Sequence, residues 1–401
     1  MNILFLTTGR FGSIEDHAIY PDLLREFRNQ GHNVYSVSSY EKRTGKSTEC
    51  QTFDKGQSLH VRIGNITKCG MIEKGISTLR IEGQYKAAIK KYFGSVKFDL
   101  VLYSTPPITL VKTIKFIKKR DGAKTYLLLK DIFPQNAVDL GMMKTSGLKG
   151  LLYRAFRRTE NKLYAISDMI GCMSKANCEY VLKHNPELSP KKVEVCPNSV
   201  EFRDMRVDST EREEMRRKYS LPLDKKIFVY GGNLGKPQGI GYLIDCLRCT
   251  DGTEGAHFLV VGDGTEYRKL EEFFNSEKPS CATLMKSLPK EDYARLVCAC
   301  DVGLVFLDKR FTIPNFPSRL LSYMQAGLPV ICATDANTDV GSTCCDGGFG
   351  WWCESADAED FKRLVDKALT ADLYAMGERA IEYLKENYTV ERAYKIIEKS
   401  M

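Results

Sequence analysis

Short apolar runs and amphipathic segments alternate along the chain from its first residues. Asn2 to Thr7 is an apolar run of strand length. A loop with Gly9 and Gly12 follows, then a helix pattern from Tyr20 to Gln30 that stops at Gly31, and a second strand from His32 to Ser38. Strands are predicted again at Asp99 to Tyr103, Thr125 to Leu129 and Val193 to Cys196, with a helix from Thr109 to Lys119. Residues 40–80 are polar and glycine-containing around one short strand, Ser58 to Ile63, and read as a mobile excursion. Residues 203–226 are charged and read as a linker. The alternation then restarts, with strands at Ile227 to Tyr230, His257 to Val261, Thr283 to Lys286, Asp301 to Phe306 and Pro329 to Cys332. Helices are expected at Ile240 to Arg248, Glu266 to Asn275, Ala358 to Leu369 and Leu373 to Asn387, and the closing VERAYKIIEK is amphipathic. Such alternation specifies an α/β protein with parallel sheets and crossover helices. The expected division is 1–200, 201–385 and a terminal helix at 386–401.

The candidate chemistry sits where glycine-rich loops or helices follow strands. Ile313 to Cys332 reads as loop, helix and buried strand. Pro317 suits a first helical turn, Leu320, Leu321 and Met324 form an apolar face, and Gly327 suits a stop. A helix start offers unpaired N–H groups to a phosphate, and Arg319 adds a full charge there; the plainer reading is an amphipathic core helix. After Tyr230 comes GGNLGKPQGI, a loop between strand and helix whose N–H groups can close on a phosphate, with Lys236 adding charge. The first loop, TTGRFGS, lacks the G-x-G-x-x-G spacing and is either a second phosphate approach or a tight turn. Asp131 ends the apolar strand Thr125 to Leu129, where ligands of parallel sheets gather. It either takes a proton from a substrate hydroxyl or caps the helix that follows. His17, in EDH near the same strand ends, is a second candidate base or an exposed loop histidine.

Composition narrows the picture. At 401 residues the chain can carry two ordinary domains. Residues 1–200 hold 32 Lys and Arg against 18 Asp and Glu, so the excess positive charge lies in the first half. In KTSGLKGLLYRAFRRTENKLY (144–164), Leu148, Leu151, Leu152, Tyr153, Phe156 and Leu163 interleave with cations, as in a helix lying on anionic lipid. No nucleic-acid motif accompanies this charge. No apolar run reaches the roughly twenty residues of a membrane span, and the MNILFLTTG start reads as a strand, not a signal peptide. Fourteen scattered cysteines, with Cys246 and Cys249 forming one C-x-x-C, read as reduced cytosolic thiols without metal.

Several motifs follow one another in order: S-T-P-P from Ser104, with Pro106 and Pro107, then D-I-F-P from Asp131, P-N-S-V-E from Pro197, and G-G-N-L-G-K-P-Q-G from Gly231. V-G-D-G-T-E from Val261 and P-S-R-L-L-S-Y-M-Q-A-G-L-P-V-I from Pro317 complete the series. Together they resemble GT-B glycosyltransferases of retaining family 4, in the bacterial subgroup that builds O-antigen, capsule and colanic acid. The resemblance implies two Rossmann-like domains facing a cleft, with a terminal helix crossing back to the first. It implies a metal-independent and cofactor-free hexosyl or N-acetylhexosaminyl transfer from a nucleotide sugar, with UDP the expected nucleotide, to a saccharide or polyprenyl-diphosphate-linked acceptor with retention. Carried over by motif, the donor contacts are Gly12 and Ser13, then Gly232, Asn233, Lys236 and Gln238, then Lys286, Ser287 and Leu288 at the base, and Pro317, Ser318, Arg319 and Ser322 at the organising helix. Asp131 and His17 are the acceptor-side candidates. The chain departs from the pattern at Pro314 and Ser322, where most of the family has Glu. A cytoplasmic enzyme at the inner face of the membrane is the expectation. The alternatives are a non-catalytic GT-B subunit and a nucleotide-sugar 2-epimerase.

Overall fold

The computed structural model describes all residues except Arg10 and Phe11, and all remaining side chains except those of Met71, Ile72, Leu148 and Lys149. The chain folds as two units, Met1–Glu201 with Thr389–Met401, and Phe202–Tyr388.

The first unit runs β1 (Asn2–Leu6), α1 (Ile19–Asn29), β2 (Asn33–Glu41), β3 (Glu49–Phe53), β4 (Gly56–Ile63), α2 (Met71–Tyr92), β5 (Leu100–Ser104), α3 (Val111–Asp121), β6 (Lys124–Leu129), α4 (Gln135–Asp139), α5 (Gly147–Ile166), β7 (Met169–Cys172), α6 (Lys175–His184) and β8 (Val193–Val195). Its sheet has the order β3-β4-β2-β1-β5-β6-β7-β8, parallel except for β3 against β4. Ile3, Leu4, Phe5 and Leu6 of β1 are all buried, as a central strand covered on both faces requires.

The second unit runs α7 (Ser209–Lys218), β9 (Lys226–Asn233), α8 (Ile240–Cys249), β10 (Ala256–Asp263), α9 (Tyr267–Glu277), β11 (Ala282–Lys286), α10 (Lys290–Cys298), β12 (Val302–Phe306), α11 (Arg319–Gln325), β13 (Val330–Thr334), α12 (Val340–Asp346), β14 (Gly350–Glu354), α13 (Ala358–Thr370) and α14 (Leu373–Asn387). Its six parallel strands follow the order β11-β10-β9-β12-β13-β14. Phe228, Phe258 and Phe306 on the strands pack with Phe361 of α13 in one core. The chain then returns to the first unit as α15 (Val390–Glu398). Its buried Val390, Ala393, Tyr394 and Ile397 join α1 over Ile3, Phe5, Leu100 and Leu102, with Tyr394 edge-on to Phe27 at 5.1 Å.

Three expectations change. Residues 40–80 hold more than one short strand: β3 and β4 form a hairpin, and Met71 begins a 22-residue helix that the polarity of its sequence concealed. The charged linker contains α7, held because Arg216 donates to Ala299 O (2.9 Å) and Asp301 Oδ2 (2.6 Å), while Arg212 pairs with the same carboxylate. Polar interactions here replace the apolar stripe that sequence reading looks for. The third change concerns α5, half of whose predicted lipid face packs inward. Leu163 is buried, Phe156 stands edge-on to Phe133 at 5.0 Å, and Tyr153 donates to Gln135 at 3.2 Å. The side chain of Leu148 lies outside the described residues. All fourteen cysteines are free thiols; Cys246 is buried and Cys249 half-buried on α8.

Candidate active site

In the second unit β9 ends at the turn that leads to α8. Gly232 takes φ +120°, a conformation that a side chain would strain. Beyond it, Gln238 Oε1 accepts from Asn233 Nδ2 (3.1 Å) and from the backbone N–H of Gly235 (3.2 Å). Tyr230 donates to the carbonyl of Asn233 at 2.9 Å. Asn233 and Gln238 therefore shape the loop through each other, and Lys236 stands exposed within it.

Arg319 opens α11 and lies over the ring of Tyr230, with Cζ 4.3 Å from the ring centroid. A Cβ at Gly232 would lie 3.7 Å from its Nη2, so the glycine turn and the guanidinium are neighbours. Nη1 is buried without a hydrogen-bond partner, and the groups that act electrostatically on the guanidinium are the hydroxyls of Tyr230, Tyr323 and Tyr293. No carboxylate among the described residues is paired with it. A cation held partly out of water without countercharge costs stability until an anion arrives.

Two glycines admit the tyrosines beneath it. A Cβ at Gly303 would meet the Tyr323 ring at 2.4 Å, and one at Gly231 would meet the Tyr293 hydroxyl at 1.8 Å. Tyr323 Oη accepts from the N–H of Gly231 (3.3 Å) and reaches the carbonyls of Val229 (3.1 Å) and Leu304 (3.3 Å), tying α11 to β9 and β12. Pro317 is not in the first helical turn. Helix α11 begins two residues later, and the carbonyl of Pro317 accepts from Leu320 N at 3.2 Å. Ser318 and Ser322 are exposed one turn apart, and Pro314 is buried. Lys286 and Ser287 are exposed and Leu288 half-buried at the carboxyl end of the edge strand β11.

In the first unit Asp131 follows β6. It does not cap a helix: α4 has Pro134 at its N-cap, and both Asp131 carboxylate oxygens instead accept from Asn136 Nδ2 at 2.8 Å. Burial pushes the carboxyl up from 3.8 to about 6, against the opposing hydrogen bonds from Asn136 and the N–H of Ile132. Neighbouring Lys130 donates to the carbonyl of Cys196 at 3.3 Å, and burial lowers its ammonium to about 8. The N–H groups of Gly12 and Ser13 are already occupied by Asp16 Oδ2, at 2.9 and 3.0 Å. His17 lies beside Arg25, Asp22 and Glu201. Although its ring, Asp22 and Glu201 are close enough to share an ion, Arg25 Nη2 occupies that space, 3.1 Å from His17 Nδ1, 2.5 Å from Asp22 and 2.8 Å from Glu201. His257, at the amino-terminal end of β10, is engaged with Thr283 at 2.9 Å, and burial lowers its pKa to about 4.

Sequence reading missed Tyr230, Tyr293 and Asn136. Tyr230 looked like the last core residue of a strand, and only its position just before the glycines marked it. Asn136 lies five residues beyond Asp131 in D-I-F-P-Q-N, across a proline bend that hides the pairing.

Two units of parallel sheet with crossover helices, the second carrying a glycine turn beside an arginine that meets no carboxylate among the described residues, define the GT-B class of glycosyltransferase fold. Residues 211–387 match the family described as glycosyl transferases group 1, and the chain carries a glycosyltransferase group 1 domain over those residues. It is 26% identical to the probable glycosyltransferase WbjE of Pseudomonas aeruginosa over 295 residues, 73% of this chain and 71% of that protein. It is 25% identical to the putative colanic acid biosynthesis glycosyl transferase WcaI of Escherichia coli over 255 residues, 62% of this chain and 60% of that protein. Among solved structures, Anabaena HepE in complex with UDP superposes over 100% of this chain and 99% of its own with a TM-score of 0.69 at 13% identity, a likeness of fold.

Proposed function

We propose that the protein transfers a sugar from a UDP-sugar to a saccharide acceptor, free or polyprenyl-diphosphate-linked, in bacterial surface polysaccharide synthesis, with retention at the anomeric carbon. The observation that carries this reading is Arg319, half-buried with its Nη1 buried and unpartnered, stacked on Tyr230 and meeting no carboxylate among the described residues. A diphosphate supplies the missing countercharge, and Lys236 on the adjacent loop adds a second cation as the nucleoside diphosphate departs. In this reading the two cations do the work that a metal would otherwise do. HepE is solved in complex with UDP and with UDP-glucose, and WcaI's name gives colanic acid biosynthesis, which supports the surface-polysaccharide setting.

Asp131 is the acceptor-side group in this reading. With its carboxyl near 6 it is ionised at neutral pH and basic enough to take a proton from an attacking hydroxyl. His17, held by Arg25, is the weaker candidate. Transfer should rise with pH to a plateau, with an apparent pKa of about 6. Asp131→Asn should lose transfer by at least about 100-fold and keep UDP binding. Loss of both would make Asp131 structural.

A second reading, a non-catalytic GT-B subunit, is favoured by the lack of carboxylates at Pro314 and Ser322. It predicts UDP binding without turnover by the protein alone, and turnover restored by a partner. A 2-epimerase is disfavoured, because His257 sits at the amino-terminal end of its strand.

A further inference from the structure

Two motifs of the sequence meet at Asp131. Thr105, in the S-T-P-P that ends β5, is buried, and its hydroxyl donates to the carbonyl of Asp131 at 3.0 Å while accepting from the backbone N–H groups of Lys130 (3.1 Å) and Asp131 (3.2 Å). Those bonds fix the backbone and leave the direction of the carboxylate unset. Asn136 sets it. Its own N–H is tied to the carbonyl of Ile132 at 3.1 Å, and its Nδ2 donates to both carboxylate oxygens at 2.8 Å.

The other end of the same amide is left over. Asn136 Oδ1 is buried and has no hydrogen-bond partner among the described residues. A buried carbonyl without a donor costs stability, and a side chain kept only for packing would be expected to satisfy both ends. The orientation follows the charge beside it instead. An ionised carboxylate can only accept, so it draws the NH2 group and repels the carbonyl; a protonated carboxyl has an O–H to give, and a half turn of the amide brings Oδ1 to receive it. No cation among the described residues takes this part, since the groups that act on the carboxyl are Asn136 and the N–H of Ile132. Lys130 is turned to the carbonyl of Cys196. On α5, Glu160 feels the charge of Asp131 but is itself held by Arg157 and by Tyr164.

We propose that Asn136 is the positioning residue for Asp131, holding the carboxylate by its NH2 group before transfer and turning over to accept from the carboxylic acid once the acceptor's proton has arrived. This rests on the acceptor-side role proposed above for Asp131. In that step the acceptor O–H bond breaks, its proton passes to an Asp131 oxygen, and its electron pair forms the bond to the anomeric carbon as the bond to the UDP oxygen leaves with its own pair. A hydrogen bond to the ionised form is the stronger of the two, so Asn136 on balance favours the carboxylate. It thereby opposes the burial that raises this carboxyl to about 6.

The test is the titration of Asp131 itself in the full chain, read by NMR from aspartate carrying carbon-13 at the side-chain carboxyl, with Asp131→Asn to assign the signal. The parent's midpoint is expected at about 6. Asn136→Leu, close in size, should raise it by about one pH unit or more. Asn136→Asp keeps the shape, places a second carboxyl in the site and should raise it further. Gln135→Leu is the control, because Gln135 bonds to Asp139 and Tyr153 and not to Asp131; it should leave the midpoint in place. Transfer from a UDP-sugar is then followed from about pH 5 to about pH 8.5. Asn136→Leu should lose at least about fivefold at about pH 6 and less at the alkaline end, whereas a purely structural defect costs the same at every pH. A midpoint that Asn136→Leu leaves unmoved, or that Gln135→Leu raises equally, would overturn the proposal. A parent that titrates at about 6 and responds to Asn136→Leu, yet transfers sugar from no UDP-sugar, would support the positioning and overturn the proposed function instead.

Discussion

Two side chains hold their charge in unusual ways. Arg319 is a half-buried cation whose neighbours are aromatic hydroxyls, and Asp131 is a half-buried carboxyl whose partner is an amide. For Asp131 the consequence can be signed. Its carboxyl sits near 6 in the folded protein and returns to about 3.9 in the unfolded chain. The folded state holds this proton more tightly, so the stability it gives is complete below about pH 4 and is lost as the pH rises through about 6. Asp131→Asn removes the titration. The melting temperature of the variant relative to the parent should therefore climb between about pH 4.5 and about pH 7.5. The same difference at both ends of that range would show that burial does not act on this carboxyl. Asp131 was legible in the sequence because it ends an apolar strand. Its partner Asn136 was not, because the pairing depends on how the chain turns through Pro134 and not on any period.

At the scale of elements, the strands were readable where both faces are buried. Leu100 to Ser104 and Val302 to Phe306 are continuous apolar runs because helices cover them on both sides. Elements held by polar contacts were not readable. Helix α7 depends on two arginines meeting Asp301, and α2 buries Ile81, Tyr85 and Ile89 while exposing Ile76 and Leu79, so its apolar residues do not form one face. Helix α11 was foreseen as an element, yet the reason for its position was not. It is seated by Tyr323, whose ring occupies the space above Gly303. Gly303→Ala would set a methyl 2.4 Å from that ring. Overpacking of this kind costs about 1–3 kcal/mol, and the unfolding transition of the second unit should move to lower urea accordingly. An unchanged midpoint would mean that Tyr323 is not fixed as described.

For the whole molecule, the organisation follows from sequence order and then departs from it in one place. The second unit is a continuous segment, whereas the first takes back the last thirteen residues as α15, whose amphipathic pattern matches the apolar patch on α1. The candidate donor site likewise joins segments far apart in sequence, since Tyr230 and Gly232 on β9 meet Arg319 on α11. Sequence motifs named both segments. That the arginine's Nη1 would be buried and meet no carboxylate is a property of the packed molecule alone, and the proposed role as an anion receptor rests on it. The most direct test is calorimetric titration of UDP into the protein and into Arg319→Met, with melting temperatures of both. Hydrogen bonds from a charged guanidinium to phosphate are worth about 1.5–3 kcal/mol, so the variant should bind UDP about 10- to 150-fold more weakly. Its own melting temperature should be equal to or above the parent's, because a partly desolvated, uncompensated charge has been removed. UDP binding of parental strength in Arg319→Met would contradict the account.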